Sequence, residues 1–414
     1  MPWFRILSAA NAAVLGILIS GCSVINQLPV VLFIAFGVNN ETEITIENKQ
    51  RAEQRLKRIT NVYTRSNPNV KVQIAIYPTK HLINEIRKRS DVNLGPDLII
   101  SNSYQANELL SLGLTTTVPN DQDIRDSIFQ DLIPYVSNER GELSAVPTAI
   151  FIQLACFNRD TIKTPPKQIN ELLEISAAGD NVALSGESLQ LLWTMGSLGA
   201  LPAINKVALG ETLEKHEYLT INRWMQWLQL ASKQQKFKYL RNQSLMRDQL
   251  ISGELDWITC TSEDIKTLRK GMGSKLGVAP LPNGAKNTAW PTNTLRTLSL
   301  GKDSSQRQRK AALELINFIM SPILQRRLML ESQDFLPSNR NIKIPTESSF
   351  ILNAMITSVS EQSSKNDHYW NSLSRYPMST FNNLTIILAN LVDGLIIPTE
   401  ATEQLVELLR RDHQ

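Results

Sequence analysis

Hydrophobic positions along the chain alternate between a strand-like and a helix-like period. Residues 30–36 form a continuous apolar run, the pattern of a strand covered on both faces. Residues 47–66 carry a charged face at helical spacing and predict a helix. Residues 70–77 alternate and are rich in Val and Ile, which predicts a second strand. A helix over 81–89, a short strand over 96–101 and a helix over 104–112 follow, the last stopped by Gly113. Strands separated by helices predict an α/β fold with a parallel sheet covered on both faces. Ligands in such sheets sit outside the carboxyl ends of the strands, here the loops at 37–40 and 101–104.

A second block begins after Ser144-Ala145-Val146-Pro147-Thr148. Residues 149–157 are apolar except Gln153 and read as one strand. Helices are predicted near 169–175, 187–198, 220–232 and 244–251, then a strand at 255–260, a helix at 263–269 and a strand at 276–279. The pattern continues with a strand at 297–300 and helices at 306–320 and 323–331, separated by Ser321-Pro322. The remaining pattern is mostly helical.

The N-terminus changes the compartment. Arg5 precedes an apolar stretch over 6–18, broken only by Ser8, Asn11 and Gly16, and the stretch ends at Ile19-Ser20-Gly21-Cys22. One early cation, a short apolar region and small residues at the end describe a secretory signal peptide over 1–21. The stretch is shorter than the ~20 residues of a spanning helix. Its ending resembles the lipobox of bacterial lipoproteins. That resemblance implies acylation of Cys22, a tether over 22–27 and a protein held at the extracytoplasmic face of the cell membrane, its anchor stabilised by two or three acyl chains. Ser23 leaves the choice of membrane open.

Removing 21 of the 414 residues leaves 393, enough for two domains. The full chain has 43 lysines and arginines against 39 acidic residues, so no concentrated basic surface points to nucleic acid. Beyond Cys22, only Cys156 and Cys260 remain. Both lie in apolar, strand-like contexts, so two readings stand: a disulfide permitted by export, or two buried thiols. The four histidines are scattered and no metal-ligand spacing exists, so no metal or cofactor is expected. No G-x-S-x-G or G-x-x-x-x-G-K segment occurs. Glu254 and Asp256 are the one carboxylate pair that suits acid–base work, and a turn after Gly253 explains them as well. A lipid-anchored glycoside hydrolase is therefore the enzymatic alternative, requiring two carboxylates ~5–10 Å apart; the primary reading is not an enzyme.

Several segments, in order, resemble the family 1 extracellular solute-binding proteins of ABC importers, the group that includes maltose- and oligosaccharide-binding proteins. These are Pro96 to Leu114; Gly141 to Asp160, with Phe157-Asn158-Arg159-Asp160; Pro165-Pro166-Lys167 to Leu173; Gly277 to Gly284; Ala311 to Gln325, followed by Leu336-Pro337-Ser338-Asn339; and Thr399 to Leu409. The resemblance covers nearly all of 28–412. It implies a periplasmic-binding-protein-like fold of two α/β domains joined by a hinge, with the ligand cleft between them. Domain 1 would hold 28–148 and 294–342, and domain 2 would hold 149–293 and 343–414. The implied protein is a monomer that captures a small solute and delivers it to the membrane subunits of an ABC permease. A ligand-sensing lipoprotein without transport is a further alternative.

Sugar sites use aromatic faces and planar polar groups. The chain departs from the maltose-binding pattern at Ser101, Phe151, Cys260-Thr261-Ser262 and Asn382, which argues against a maltodextrin and leaves a sugar or polyol as the implied solute. The candidate aromatic contacts are Tyr104, Trp193, Trp290 and Tyr369; Trp290 stands out because its polar loop lacks a helical period. The candidate polar contacts are Ser101, Asn102, Thr148, Thr261, Ser262 and Asn382. Trp224 and Trp227 share a helix with Leu228 and read as core.

Overall fold

The computed structural model describes residues 28–38, 46–119, 121–138, 140–373 and 376–413. Cys22 and the predicted signal peptide lie outside the described residues. The chain divides into two compact units: one runs to Ser101 and adds Glu108–Val118 and Leu298–Ile319, and the other holds Asn102–Asn107, Pro119–Thr297 and Met320–Gln414.

In the first unit, strand β1 (Val30–Val38) leads through helix α1 (Ile46–Ser66) to β2 (Val70–Pro78), and through α2 (Leu82–Ser90) to β3 (Leu98–Asn102). β1 pairs in parallel with β2 from Val30↔Val70 to Val38↔Pro78, and with β3 from Ile34↔Leu98 to Phe36↔Ile100. The apolar run of β1 thus has a strand on each side, and Leu32 and Ile34 are buried. Helix α3 (Ser103–Ser111) and the short β4 (Thr115–Thr116) follow; β4 pairs antiparallel with β11 (Thr294–Gly301). The carboxylate of Asp97 organises this sheet. It accepts the Phe33 N–H at 2.8 Å and the Ser304 hydroxyl at 2.7 Å. A buried carboxylate is tolerated when hydrogen bonds replace its lost hydration.

The second unit is built on a five-stranded sheet ordered β10-β6-β9-β7-β8, from β6 (Gln153–Asn158), β7 (Val182–Ser185), β8 (Phe237–Leu240), β9 (Trp257–Thr261) and β10 (Leu276–Ala279). β7 runs parallel to β8 and β9, whereas β6 is antiparallel to β9 and β10. The stretch read as one strand over 149–157 is two. β5 (Val146–Phe151) pairs with β12 (Leu336–Pro337), and β6 begins at Gln153 and pairs with β9. The chain changes sheets at Ile152, so an unbroken apolar run serves two different sets of neighbours.

Cys156 and Cys260 form a disulfide between β6 and β9, which settles the two readings of these cysteines. The helices of this unit include α4 (Gln122–Ser127), α5 (Glu171–Ala178), α6 (Ser188–Ser197), α7 (Leu201–Ala208), α8 (Lys215–Ser232), α9 (Gln243–Ser252) and α10 (Ile265–Met272). Later in the chain come α11 (Gln306–Met320), which belongs to the first unit, and α12 (Pro322–Ser332), α13 (Phe350–Thr357), α14 (Met378–Val392) and α15 (Pro398–His413) of the second. α8 starts earlier than its apolar period suggests, because Glu214 and Glu217 form a reciprocal capping box at its first turn. Trp193, Trp224 and Trp257 are fully buried in the core of this unit, and the Trp224 indole N–H donates to Thr194 Oγ1 at 2.8 Å.

Candidate functional site

Because β7, β8 and β9 are parallel, their carboxyl ends Ser185, Leu240 and Thr261 open on one edge of the sheet. Each is followed by a short polar turn into a helix: Gly186-Glu187 into α6, Arg241-Asn242 into α9, and Ser262-Glu263-Asp264 into α10. In α/β sheets this is the edge where ligands seat. A Cβ on Gly186 would meet Arg241 Cγ at 3.2 Å, so the first two turns lie against each other.

The third turn is the most elaborate. Asp264 is buried, and its Oδ2 accepts the backbone N–H and the hydroxyl of Thr261, both at 3.1 Å, and the Gln243 amide at 3.3 Å. Its Oδ1 faces the Arg247 guanidinium at 3.7 Å. Burial raises the Asp264 pKa above the ordinary value, and the Thr261 bonds and Arg247 pull against it. Ser262 is fully buried; its hydroxyl donates to the Asp334 carbonyl at 2.6 Å and accepts the Ile152 N–H at 3.0 Å. Glu263 pairs with Arg296 at 2.7 Å. The Arg296 guanidinium lies 5.2 Å from the centroid of Phe151, which in turn packs against Phe335 at 6.2 Å.

The sequence-predicted residues fall into separate groups. Thr148 and Thr261 join the network just described, since the Thr148 hydroxyl donates to the Arg296 carbonyl at 3.1 Å. Asn102 and Tyr104 lie at the start of α3. Asn102 Oδ1 accepts the Gln105 N–H at 2.8 Å, and the Tyr104 hydroxyl accepts the Met378 N–H at 2.8 Å. Pro377 precedes α14 and offers it no side-chain cap, so the phenol takes that place. Asn382 is exposed one turn along α14. Ser101 is fully buried at the end of β3. Tyr369 is half-buried beside His368, at 3.8 Å between ring centroids, and burial raises its phenol pKa.

Trp193 and Trp290 sit together in the apolar core, 0% and 4% exposed, so neither ring presents a face to solvent. The loop that carries Trp290 lies on α6. A Cβ on Gly196 would come within 2.6 Å of the Trp290 backbone nitrogen, and only glycine leaves that room. The aperiodic setting that singled out Trp290 reflects a buried loop.

Residues that the pattern did not single out complete the network. Gln153 is buried; its side-chain amide donates to the Gln190 carbonyl at 2.8 Å, and its Oε1 accepts the Thr292 N–H at 2.9 Å. Its sequence signal was that of a lone polar residue in an apolar run. Glu263 and Arg296 carried no such signal. Glu254 and Asp256 hold different partners. Asp256 accepts the Asn181 N–H at 2.8 Å, and Glu254 accepts from Gln249 and Ser252 beside the end of α9.

Among the described residues no three His, Cys, Asp or Glu side chains gather to hold a metal ion, and no helix is long and apolar enough to cross a membrane. Two open grooves, about 730 and 510 Å³, lie between α8 and α15 and beside α13; neither is lined by a sequence-predicted site residue.

Comparison with curated protein sequences returns no match. Solved structures do match along nearly the whole chain. The GacH receptor of Streptomyces glaucescens, solved unliganded and with acarbose, superposes with a TM-score of 0.72 at 14% identity over 93% of this chain and 98% of its own. A maltodextrin-binding protein of L. casei gives 0.71 at 16% identity over 93% and 99%. An ABC transporter solute-binding protein of Thermotoga lettingae, bound with α-D-tagatose, gives 0.70 at 12% identity over 93% and 100%. The chain therefore has the periplasmic-binding-protein-like fold of these proteins. The sequence profile of the bacterial extracellular solute-binding proteins matches residues 59–348, well over half of the chain, and to that family this protein belongs.

Proposed function

We propose that the protein is a lipid-anchored solute-binding protein that captures a sugar or polyol outside the cytoplasm and delivers it to the membrane subunits of an ABC permease. Family membership over 59–348 carries this reading. The polar turns at the carboxyl ends of β7, β8 and β9 supply the hydroxyl, amide and carboxylate groups that a polyhydroxylated solute needs. The three structural relatives were solved with, or named for, acarbose, maltodextrin and tagatose, all of them hydroxyl-rich and without a carboxylate or phosphate. Cys22 is the anchoring residue, and the protein works as a monomer.

The test is a thermal-shift screen of residues 28–414 against maltose, maltotriose, D-tagatose, D-glucose and D-sorbitol, with amino acids and organic acids as controls. A solute at 100 times its dissociation constant adds about 2.7 kcal/mol of stability. A selective shift from one of the sugars or polyols, recovered unchanged, supports the proposal. Shifts confined to amino or organic acids would reassign the solute, and a consumed sugar would make the protein an enzyme.

A further inference from the structure

The groove of about 510 Å³ beside α13 lies apart from the turns at the carboxyl ends of β7, β8 and β9. β6 is antiparallel to β9, with Gln153 level with Thr261 and Phe157 level with Trp257. Arg159 therefore follows the end of β6 that is opposite to Thr261. One wall of the groove is β10, the edge strand of its sheet. The other is the face of α13 on which Phe350, Ala354 and Thr357 recur at helical spacing. Phe157 closes the floor. It is the cross-strand partner of Gly277, where a Cβ would come within 2.3 Å of its ring, and the glycine lets the ring lie over β10.

Two cations and no carboxylate line this groove. The Arg159 guanidinium lies over the Phe350 ring at 4.6 Å from its centroid, and the Lys163 ammonium donates to the Arg159 carbonyl at 3.1 Å. The neighbouring acid, Asp160, is held by Lys275 at 3.0 Å. A guanidinium stacked on a ring keeps its N–H donors, which lie in its own plane, for an acceptor. Phe350 is 48% exposed, so its ring also offers apolar surface to a ligand. A neutral sugar would leave the charge of both cations unanswered. An inorganic anion would leave the apolar walls uncovered. A carboxylate on an apolar body uses both features.

We propose that this groove is a second ligand site, for a small organic anion whose carboxylate meets Arg159 and Lys163 and whose apolar body packs against Phe157, Pro165 and Phe350. The site is independent of the proposed solute site. The test is an amide NMR titration of residues 28–414, and of the Arg159→Met and Lys163→Met variants, with 3-phenylpropanoate, its uncharged amide and propanoate. Both cations are exposed, so the variants are expected to melt with the wild type.

3-Phenylpropanoate is expected to saturate with a dissociation constant below about 1 mM and to move the amides of Gly277, Val278 and Ala354. The uncharged amide and propanoate each lack half of the match and bind about tenfold more weakly or worse. Arg159→Met weakens 3-phenylpropanoate about tenfold, as for a lost hydrogen bond to a charged group, and Lys163→Met weakens it several-fold. No saturation by about 10 mM, wild-type affinity in both variants, or amide shifts confined to Ser185, Leu240 and Thr261 would overturn the proposal. The same variants separate this site from the solute site in the thermal-shift screen. An organic-acid shift that persists in Arg159→Met would overturn the groove and reassign the solute. One lost in that variant supports the groove and leaves the sugar reading standing.

Discussion

The Cys156–Cys260 disulfide gives a quantitative test of how the second unit is held together. The bond joins β6 to β9 across a sequence separation of 104 residues. In the chain-entropy account, closing a loop of that length stabilises by about 4.7 kcal/mol, and measured values for disulfides more often fall at about 2–4 kcal/mol. For a unit of this size each kcal/mol moves the melting temperature by roughly 2 °C. Reducing the bond in residues 28–414 is therefore expected to lower the melting temperature by roughly 4–9 °C. Both cysteines are at most 1% exposed, so reduction requires partial unfolding and the reduced sample is prepared in denaturant and refolded. Scanning calorimetry of oxidised and reduced protein reads the shift. A thiol assay on denatured, unreduced protein reads the bond itself. Two reactive thiols before reduction, or coincident melts after it, would refute the reasoning. The Cys156→Ala/Cys260→Ala variant should melt with the reduced protein.

Other expectations follow from single contacts. A Cβ on Gly284 would sit 1.7 Å from the Ser197 carbonyl oxygen, so Gly284→Ala forces the loop off the end of α6 and costs about 3 kcal/mol or more by denaturant titration. Tyr104→Phe keeps the ring but removes the acceptor for the Met378 N–H, and a loss of about 0.5–1.5 kcal/mol is expected, with faster amide exchange at Met378. Carboxyl NMR should show Asp264 titrating above the ordinary aspartate range, because of burial, and Asp412 below it, because the Thr380 hydroxyl donates to it. The signs for stability are opposite. The native state holds the Asp264 proton more tightly than the unfolded chain, so that contribution is full at low pH and is lost as pH rises through the raised value. Asp412 contributes above its unfolded pKa and loses that contribution as pH falls through its lowered value.

Much of the fold was legible because it is written in local periods. The apolar run of β1, the alternation of β2 and the stop after α3 each correspond to one element. The switch at Ile152 was not legible, since nothing in 149–157 but Gln153 marks where the chain leaves one sheet for another. Trp290 misled for a related reason: loops are usually exposed, but Gly196 lets this one lie against α6. Thr261 was legible as the polar residue that ends a strand, whereas Thr148 lies inside β5. The Glu263–Arg296 pairing was not legible, because it joins the turn after β9 to β11, strands of two different sheets, a non-local outcome that no window of sequence contains.

The central claim, that the protein binds a neutral hydroxylated solute without transforming it, is tested most directly by calorimetric titration of residues 28–414 with the panel sugar that gives the largest thermal shift, followed by mass analysis of the recovered sugar. The account predicts a single saturable site and a sugar of unchanged mass. The absence of binding heat at all temperatures tried, or recovery of a shortened sugar, would contradict it.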